Sequence, residues 1–214
     1  MRDNSVFNKM FLWLGIGLLI SFSSGYVLSN NYDLFTYLVS NIGFFPILIS
    51  SLIIAFVLKI FIHKLPLNVA RILYVIYSLI MGITLSTVFI IYEMSSIILV
   101  FLITAAIFIA LSIYGYTTKK DLSKLGTILF ISILVIIVAS LINMFILKSG
   151  MAEIVLCAAS ALAFALFIAY DINKIKNMLG YMDDDKLAIY GAFDLYLDFI
   201  NLFLDLIRLF GKRK

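Results

Sequence analysis

The sequence predicts an all-helical integral membrane protein with seven membrane-spanning helices. Of its 214 residues, 64% are hydrophobic and 13% are charged, whereas soluble domains carry about 25% charged and about 45–50% apolar residues. The mean hydropathy is +1.15, and one spanning helix needs about 20 apolar residues. With 2 prolines and 1 cysteine, the composition also excludes a disordered chain and a disulfide-stabilised scaffold.

Seven apolar stretches define the predicted spans, which we assign to one membrane domain over residues 1–214. Each is long enough to cross the bilayer core, and the polar connections at 29–33, 63–66, 118–121 and 177–186 are too short for a soluble domain. In chain order the stretches are Met10–Leu28, Phe44–Ile62, Val69–Ile91, Ser95–Tyr116, Leu125–Leu147, Ile154–Asp171 continuing toward Ile175, and Leu187–Phe210.

Basic residues at the ends of these stretches predict the orientation. The net charge of +4 comes from lysines and arginines scattered at the span edges, a pattern typical of lipid-headgroup contact and not of nucleic-acid binding. Alternate ends on the amino-terminal side carry eleven of them, against four on the other side. We therefore expect a multi-pass protein with a cytoplasmic amino terminus. Seven crossings would place the basic tail 212–214 outside, against the local charge rule, so an incomplete crossing by the last stretch stays open beside the seven crossings that we expect.

The last stretch carries a polar stripe. At 100° per residue, its five polar members fall within an arc of about 80°. An ionisable group costs about 2.5–3.5 kcal/mol at the centre of a lipid-facing helix. We therefore expect the stripe to face an aqueous cavity or paired groups inside a helical bundle. Its members are Asp194, Asp198 (near the membrane midplane), Asn201, Asp205 and Arg208.

Asp171, near the end of the preceding span, is a candidate partner for Asp198. In antiparallel helices the two carboxylates lie about 9–10 Å and about 16 Å from the cytoplasmic ends, a mismatch of about one turn, so they can meet. At about 4 Å they repel by about 4 kcal/mol at an effective dielectric of 20, so we expect them to share one proton. With Arg208 as a mobile cation, this favours a pH-gated cation path.

Two carboxylates are fewer than the about six to eight oxygens of a high-affinity calcium site, so metal binding by Asp171 and Asp198 would be transient.

Three further positions keep simpler interpretations. Asp205 and Arg208 are three residues apart and can form an ion pair at the helix edge, and solvation at the cytoplasmic end stays open for Asp194.

Two polar residues outside the stripe are given structural roles. Asn143, in the fifth stretch, is expected to donate a hydrogen bond to another helix. His63 stands at a span edge beside Lys64, where it is expected to be solvated and not to bind a metal.

The carboxy-terminal part resembles the signature of the Bax inhibitor family, and most closely its bacterial YetJ-like members. Tyr170–Lys176 reads YDINKIK and Leu195–Phe203 reads LYLDFINLF, followed by Arg208 and Gly211. The resemblance extends over the whole chain, with seven spans and matching length. Two weaker elements support it, Gly82–Leu85 and Thr118–Leu122.

This resemblance implies six helices around the seventh and a pH-sensitive calcium leak across a bacterial plasma membrane. It implies that Asp171 and Asp198 are the acidic pH sensor and that Arg208 latches the closed pore. Calcium would be the permeating ion, and no cofactor is implied. Bacterial members carry an acid in the second span to pair with the arginine, but residues 46–52 contain none. Asp205 is our hypothesis for the substitute.

Other functions stay open beside this one. A proton-coupled transporter of small solutes would also use buried acids. A membrane regulator of stress responses would transport nothing. An intramembrane aspartyl protease needs Gly-x-Gly-Asp, whereas Gly191–Asp194 reads GAFD, so we do not expect an enzyme. The expected partners are the lipid bilayer, protons and calcium; protein partners are left open.

Overall fold

The structure is a computed structural model that describes residues 2–41, 43–62 and 64–214. His63 therefore lies outside the described residues. Within them the chain forms eight α-helices joined by short connections, with a π-helical turn at Asn143–Leu147 continuing α6. The helices are α1 Arg2–Ser29, α2 Tyr32–Asn41, α3 Phe44–Phe61, α4 Leu67–Ile91, α5 Met94–Thr117, α6 Ser123–Ile142, α7 Gly150–Asn177 and α8 Asp184–Phe210.

Six of these helices are long and apolar enough to cross a membrane, namely α1, α4, α5, α6 with its π-helical turn, α7 and α8. The second predicted span corresponds to α3, which has 18 residues and a length of about 27 Å. Its stretch Ile49–Phe61 is a shorter apolar helix. The prediction of an all-helical membrane protein is confirmed, while the exact seven-helix arrangement stays a prediction. The ten-residue α2 was not anticipated.

The chain forms two compact units, each described by itself. The first comprises residues 1–92, 178–196 and 214. Its main helix pair is α1 and α4, which small residues bring close together. The Ser21 hydroxyl donates a hydrogen bond to the carbonyl of Ser78 at 2.7 Å, and a Cβ atom on Gly25 would lie 2.9 Å from the Gly82 carbonyl oxygen. The second contact lies four residues after the first on α1 and also four residues after the first on α4. The two helices therefore run in the same direction.

Aromatic side chains join α8 to α4 in the first unit. On α8, Phe193 and Tyr196 pack edge-on against Tyr74 and Tyr77 of α4, with ring centroids 5.1 to 6.3 Å apart. The Tyr196 hydroxyl is 2.5 Å from the Ser21 hydroxyl, so a buried phenol has its hydrogen-bond partner. These contacts hold the first half of α8 against α1 and α4.

The second unit comprises residues 93–177 and 197–213. In it, α7 packs between α5 and α6. Gly115 of α5 lies against the backbone of Ala169, and its carbonyl accepts a hydrogen bond of 3.4 Å from the Asn173 amide. Gly126 of α6 leaves room for the ring of Tyr170. Glycine at these two positions thus lets the neighbours of α7 approach the segment that precedes and includes Asp171.

The second half of α8 packs on α5 in this unit, where the Phe199 ring lies 5.4 Å from that of Phe101 and 5.7 Å from that of Phe108. The Lys212 backbone donates to the Ser96 hydroxyl at 3.1 Å, and the Lys212 side chain forms an ion pair of 2.9 Å with Glu93. The end of α8 therefore lies beside the start of α5. Of the most apolar window of α8, 83% is buried, against 11 to 39% in the other five long spans.

Asn143 has a different role from the one predicted. Its side-chain amide donates to the Ser149 carbonyl at 3.1 Å, and its side-chain oxygen accepts from the Ser149 amide at 3.0 Å. The prediction of an interhelical hydrogen bond was wrong, because the end of α6 leaves backbone groups without helical partners and Asn143 closes the turn that follows.

Candidate functional site

Four carboxylates within the spans are buried. The exposed fraction is 4% for Asp171, 1% for Asp194, 4% for Asp198 and 5% for Asp205. Burial of an ionised carboxylate is costly unless a cation, a proton or hydrogen bonds compensate its charge. The acids of the α8 stripe therefore do not face lipid, and solvation at the cytoplasmic end is excluded for Asp194.

Asp171 and Asp198 both belong to the second unit, on α7 and α8. Asp171 has a cation one turn later on α7, where Lys174 places its Nζ 3.8 Å from Oδ1 and 6.0 Å from the centre of the Tyr170 ring. The spacing of three residues between Asp171 and Lys174 is a sequence signal that could have identified this pair. Direct contact between Asp171 and Asp198 stays a prediction.

Arg208 lies beside Asp205, as the helix-edge interpretation predicts. Its guanidinium nitrogen is 3.7 Å from Asp205 Oδ1, and its side chain is 60% exposed, against 8% for Asp205. The thiol of Cys157 on α7 lies 3.3 Å from the Asp205 carbonyl oxygen and 3.6 Å from Oδ1. The separation of the charges exceeds the about 2.7–2.9 Å of a charge-assisted hydrogen bond, so this ion pair is loose. The role of Arg208 as a latch stays a prediction.

Asp194 has a cationic neighbour that sequence analysis did not identify. Lys59, in the last turn of α3, places its Nζ 3.4 Å from Asp194 Oδ1 within the first unit. The sequence signal for it was a lysine three residues before the end of the apolar stretch Phe44–Ile62. The pairing itself depends on which helices become neighbours, and the sequence alone does not show that.

Asn201, the remaining member of the stripe, forms a hydrogen bond within α8. Its side-chain amide donates to the Leu197 carbonyl at 2.8 Å. No group of three or more His, Cys, Asp or Glu side chains suited to hold a metal occurs within residues 2–41, 43–62 and 64–214. In the first unit, buried Asp194 has a flexible cationic side chain within 4 Å, and in the second unit the same holds for Asp171 and Asp205. Such carboxylates can exchange one cation for another or for a proton.

Nearly the whole chain matches the model of one known protein family. Residues 3–214 match the family model described as "Inhibitor of apoptosis-promoting Bax1". The chain belongs to the Bax inhibitor family. The resemblance inferred from the motifs around Asp171 and Asp198 is thereby confirmed over nearly the full length.

Several bacterial proteins are similar to this chain along most of their length. The inner membrane protein YbhL of Escherichia coli K12 is 39% identical over 216 residues, which cover 96% of this chain and 91% of YbhL. An uncharacterized protein of Borreliella burgdorferi is 36% identical over 217 residues, covering 99% and 93%. An uncharacterized membrane protein of Streptococcus pyogenes serotype M1 is 35% identical over 215 residues, covering 98% and 93%. Together with the apolar spans, these relatives show a membrane protein of this family.

Proposed function

We propose that this Bax inhibitor family protein is a pH-sensitive calcium leak channel, gated by protonation of Asp171 and Asp198. The observation that carries the proposal is that both carboxylates are only 4% exposed, on two membrane-spanning helices of one compact unit. In a hydrocarbon environment a carboxylate persists only where a proton, a cation or water compensates it. A carboxylate that needs such a compensating partner can exchange a proton for a cation, as a pH-sensitive ion path requires.

The proposed mechanism follows from the charge of the pair. With one shared proton, the pair repels less and holds less cation. When that proton leaves, the added negative charge attracts a hard cation such as calcium, for which carboxylate oxygens are the preferred ligands. Lys174, 3.8 Å from Asp171, supplies one positive charge beside the pair and weakens its hold on a passing ion.

We also propose seven crossings, with the amino terminus in the cytoplasm of a bacterial plasma membrane and α8 innermost. The parallel direction of α1 and α4 supports this, because the chain between them must return across the bilayer once. Of the two intervening helices, α2 has 10 residues and α3 has 18, so α3 is the one that can make the crossing. The 83% burial of α8 supports the inner position.

The experiment is calcium entry into dye-loaded proteoliposomes from about pH 5 to 8, the range in which a coupled carboxylate pair is expected to titrate. Wild type is compared with Asp171→Asn and Asp198→Asn. Asp33→Asn is the matched control, because Asp33 is exposed in the first turn of α2. We expect either buried substitution to flatten the pH dependence and the control to preserve it.

Two results would contradict the leak. If folded protein passes no calcium at any pH, the leak is wrong and a non-transporting regulator becomes the better hypothesis. If a solute enters with a fixed number of protons while calcium does not, the protein is a proton-coupled transporter.

The latch is tested separately with Asp205→Asn. If Asp205 holds Arg208 in the closed state, this substitution shifts the pH at which the leak opens. Glu93→Gln is the control, since it removes the negative charge of the Glu93–Lys212 ion pair, which lies outside the stripe. Unaltered gating in Asp205→Asn would show that Asp205 is not the partner of the latch.

A further inference from the structure

Lys59 and Asp194 form a charge pair within the first unit, separate from Asp171 and Asp198. The distance from Lys59 Nζ to Asp194 Oδ1 is 3.4 Å, and the Asp194 side chain is 0% exposed, whereas that of Lys59 is 50% exposed. Lys59 lies in the last turn of α3 and Asp194 lies ten residues into α8. A fully buried anion is thus compensated by a cation that reaches it from a half-exposed position.

The two partners differ in their freedom to move. Asp194 is flanked by Phe193 and Leu195, which are 1% and 0% exposed, and the Phe193 ring packs 5.1 Å from that of Tyr77. The carboxylate is therefore fixed by the packing of α8. The ammonium of Lys59 ends a flexible four-carbon stem. The cation, and not the carboxylate, is the member of this pair that can leave.

The geometry of the pair also favours exchange. The 3.4 Å separation is longer than the about 2.7–2.9 Å of a charge-assisted hydrogen bond, so the attraction between these two atoms is that of a loose ion pair. A second cation of suitable size can supply the same charge. Carboxylate oxygens bind hard cations such as calcium in preference to soft ones. Asp194 also precedes Asp198 by one turn of the continuous helix α8, a rise of about 6 Å.

We propose that Asp194 is a cation-binding position on the ion path and that Lys59 is a tethered ammonium that occupies it until a permeating calcium ion takes its place. This inference rests on the proposed leak function and extends it to two residues outside the acid pair. Asp171 and Asp198 set the pH dependence, whereas Lys59 sets the calcium concentration at which the flux reaches half of its maximum.

The test is Lys59→Met, which keeps an apolar stem and removes the competing charge. Calcium entry into proteoliposomes is measured at one pH over a range of external calcium concentrations. We expect the half-saturating concentration to fall about fivefold, the factor that corresponds to about 1 kcal/mol. Lys64→Met is the matched control, because Lys64 is an exposed lysine shortly after α3, and it should change nothing.

Measuring Lys59→Met in a second variant, Asp194→Asn, separates the effect on calcium entry from a folding defect. Asp194→Asn replaces the buried charge by a neutral amide, so this variant does not need a counter-ion in order to fold. We expect it to raise the half-saturating concentration, and Lys59→Met added to it should have no further effect. If Lys59→Met still lowers the half-saturating concentration in this background, the competition does not occur at Asp194 and the inference is overturned.

The failure of this inference differs from that of the proposed function. A wild-type leak whose pH dependence is lost in Asp171→Asn, together with an unchanged half-saturating concentration in Lys59→Met, overturns the inference alone. A wild-type protein that is folded and passes no calcium overturns both.

Discussion

The close approach of α5 and α7 predicts a specific cost for one added methyl group. A Cβ atom on Gly115 would lie 3.0 Å from the Cα and carbonyl carbon of Ala169, and nearer still to its carbonyl oxygen. These are backbone atoms of a continuous helix, so no side chain can rotate to make room. Gly115→Ala must therefore separate the two helices, and Asp171 lies two residues beyond the point of contact.

The magnitude can be isolated with a second glycine. Overpacking a close contact costs about 1–3 kcal/mol, while Gly→Ala inside a helix stabilises by about 0.5–1 kcal/mol. Gly15 of α1 has no atom within 4 Å of its added Cβ. Gly15→Ala therefore gains the helix stabilisation of Gly→Ala without a steric clash. The difference in unfolding free energy between the two variants therefore measures the packing term alone, about 1–3 kcal/mol.

The assay is reversible unfolding by sodium dodecyl sulfate in mixed micelles, followed by circular dichroism, with wild type, Gly15→Ala and Gly115→Ala measured side by side. We expect Gly15→Ala to equal or exceed wild type in stability and Gly115→Ala to fall below it. Equal stability of the two variants would refute the close packing of α5 on Ala169. Calcium flux in Gly115→Ala then shows whether this contact positions Asp171.

Two further predictions concern other parts of the chain. Asp121 accepts hydrogen bonds from the Ser123 hydroxyl at 2.6 Å and the Ser123 amide at 2.9 Å, which hold the pKa of its carboxyl below the ordinary value of 3.8. Its contribution to the start of α6 is therefore present above that value and is lost as the pH falls through the lowered pKa. Hydrogen exchange in the first turn of α6 should differ between wild type and Asp121→Asn at pH 6, and the difference should shrink toward pH 3. Tyr196→Phe removes the buried hydrogen bond to Ser21 and should lower the free energy of unfolding by about 1 kcal/mol in the same assay. Tyr181 is 90% exposed, so Tyr181→Phe should leave the free energy of unfolding unchanged. Equal effects of the two substitutions would refute this role of Tyr196.

The helices could be predicted because, in lipid, each helix must satisfy its own backbone hydrogen bonds, so length and apolar content suffice. The α8 stripe could be predicted for a related reason, since its spacing follows directly from helical periodicity. By contrast, α2 mixes polar and apolar residues over only ten positions, too few for a spanning pattern.

Pairing between distant residues depends on the packing of helices and could not be predicted. The Lys59–Asp194 pair joins the second and the last predicted spans, and the hydrogen bonds of Asn143 depend on where α6 ends. The Asp205–Arg208 pair could be predicted because it lies within one helix turn.

The division of α8 between the two compact units has a consequence for biogenesis. Residues 184–196 complete the first unit and residues 197–210 complete the second, yet α8 leaves the ribosome after the other seven helices. Neither unit can therefore reach its final packing before α8 has been synthesised. Because α8 carries several ionisable groups, its entry into the membrane is unfavourable alone and depends on polar partners in helices that are already inserted. The helices synthesised before α8 therefore stay incompletely packed in the membrane until α8 is inserted.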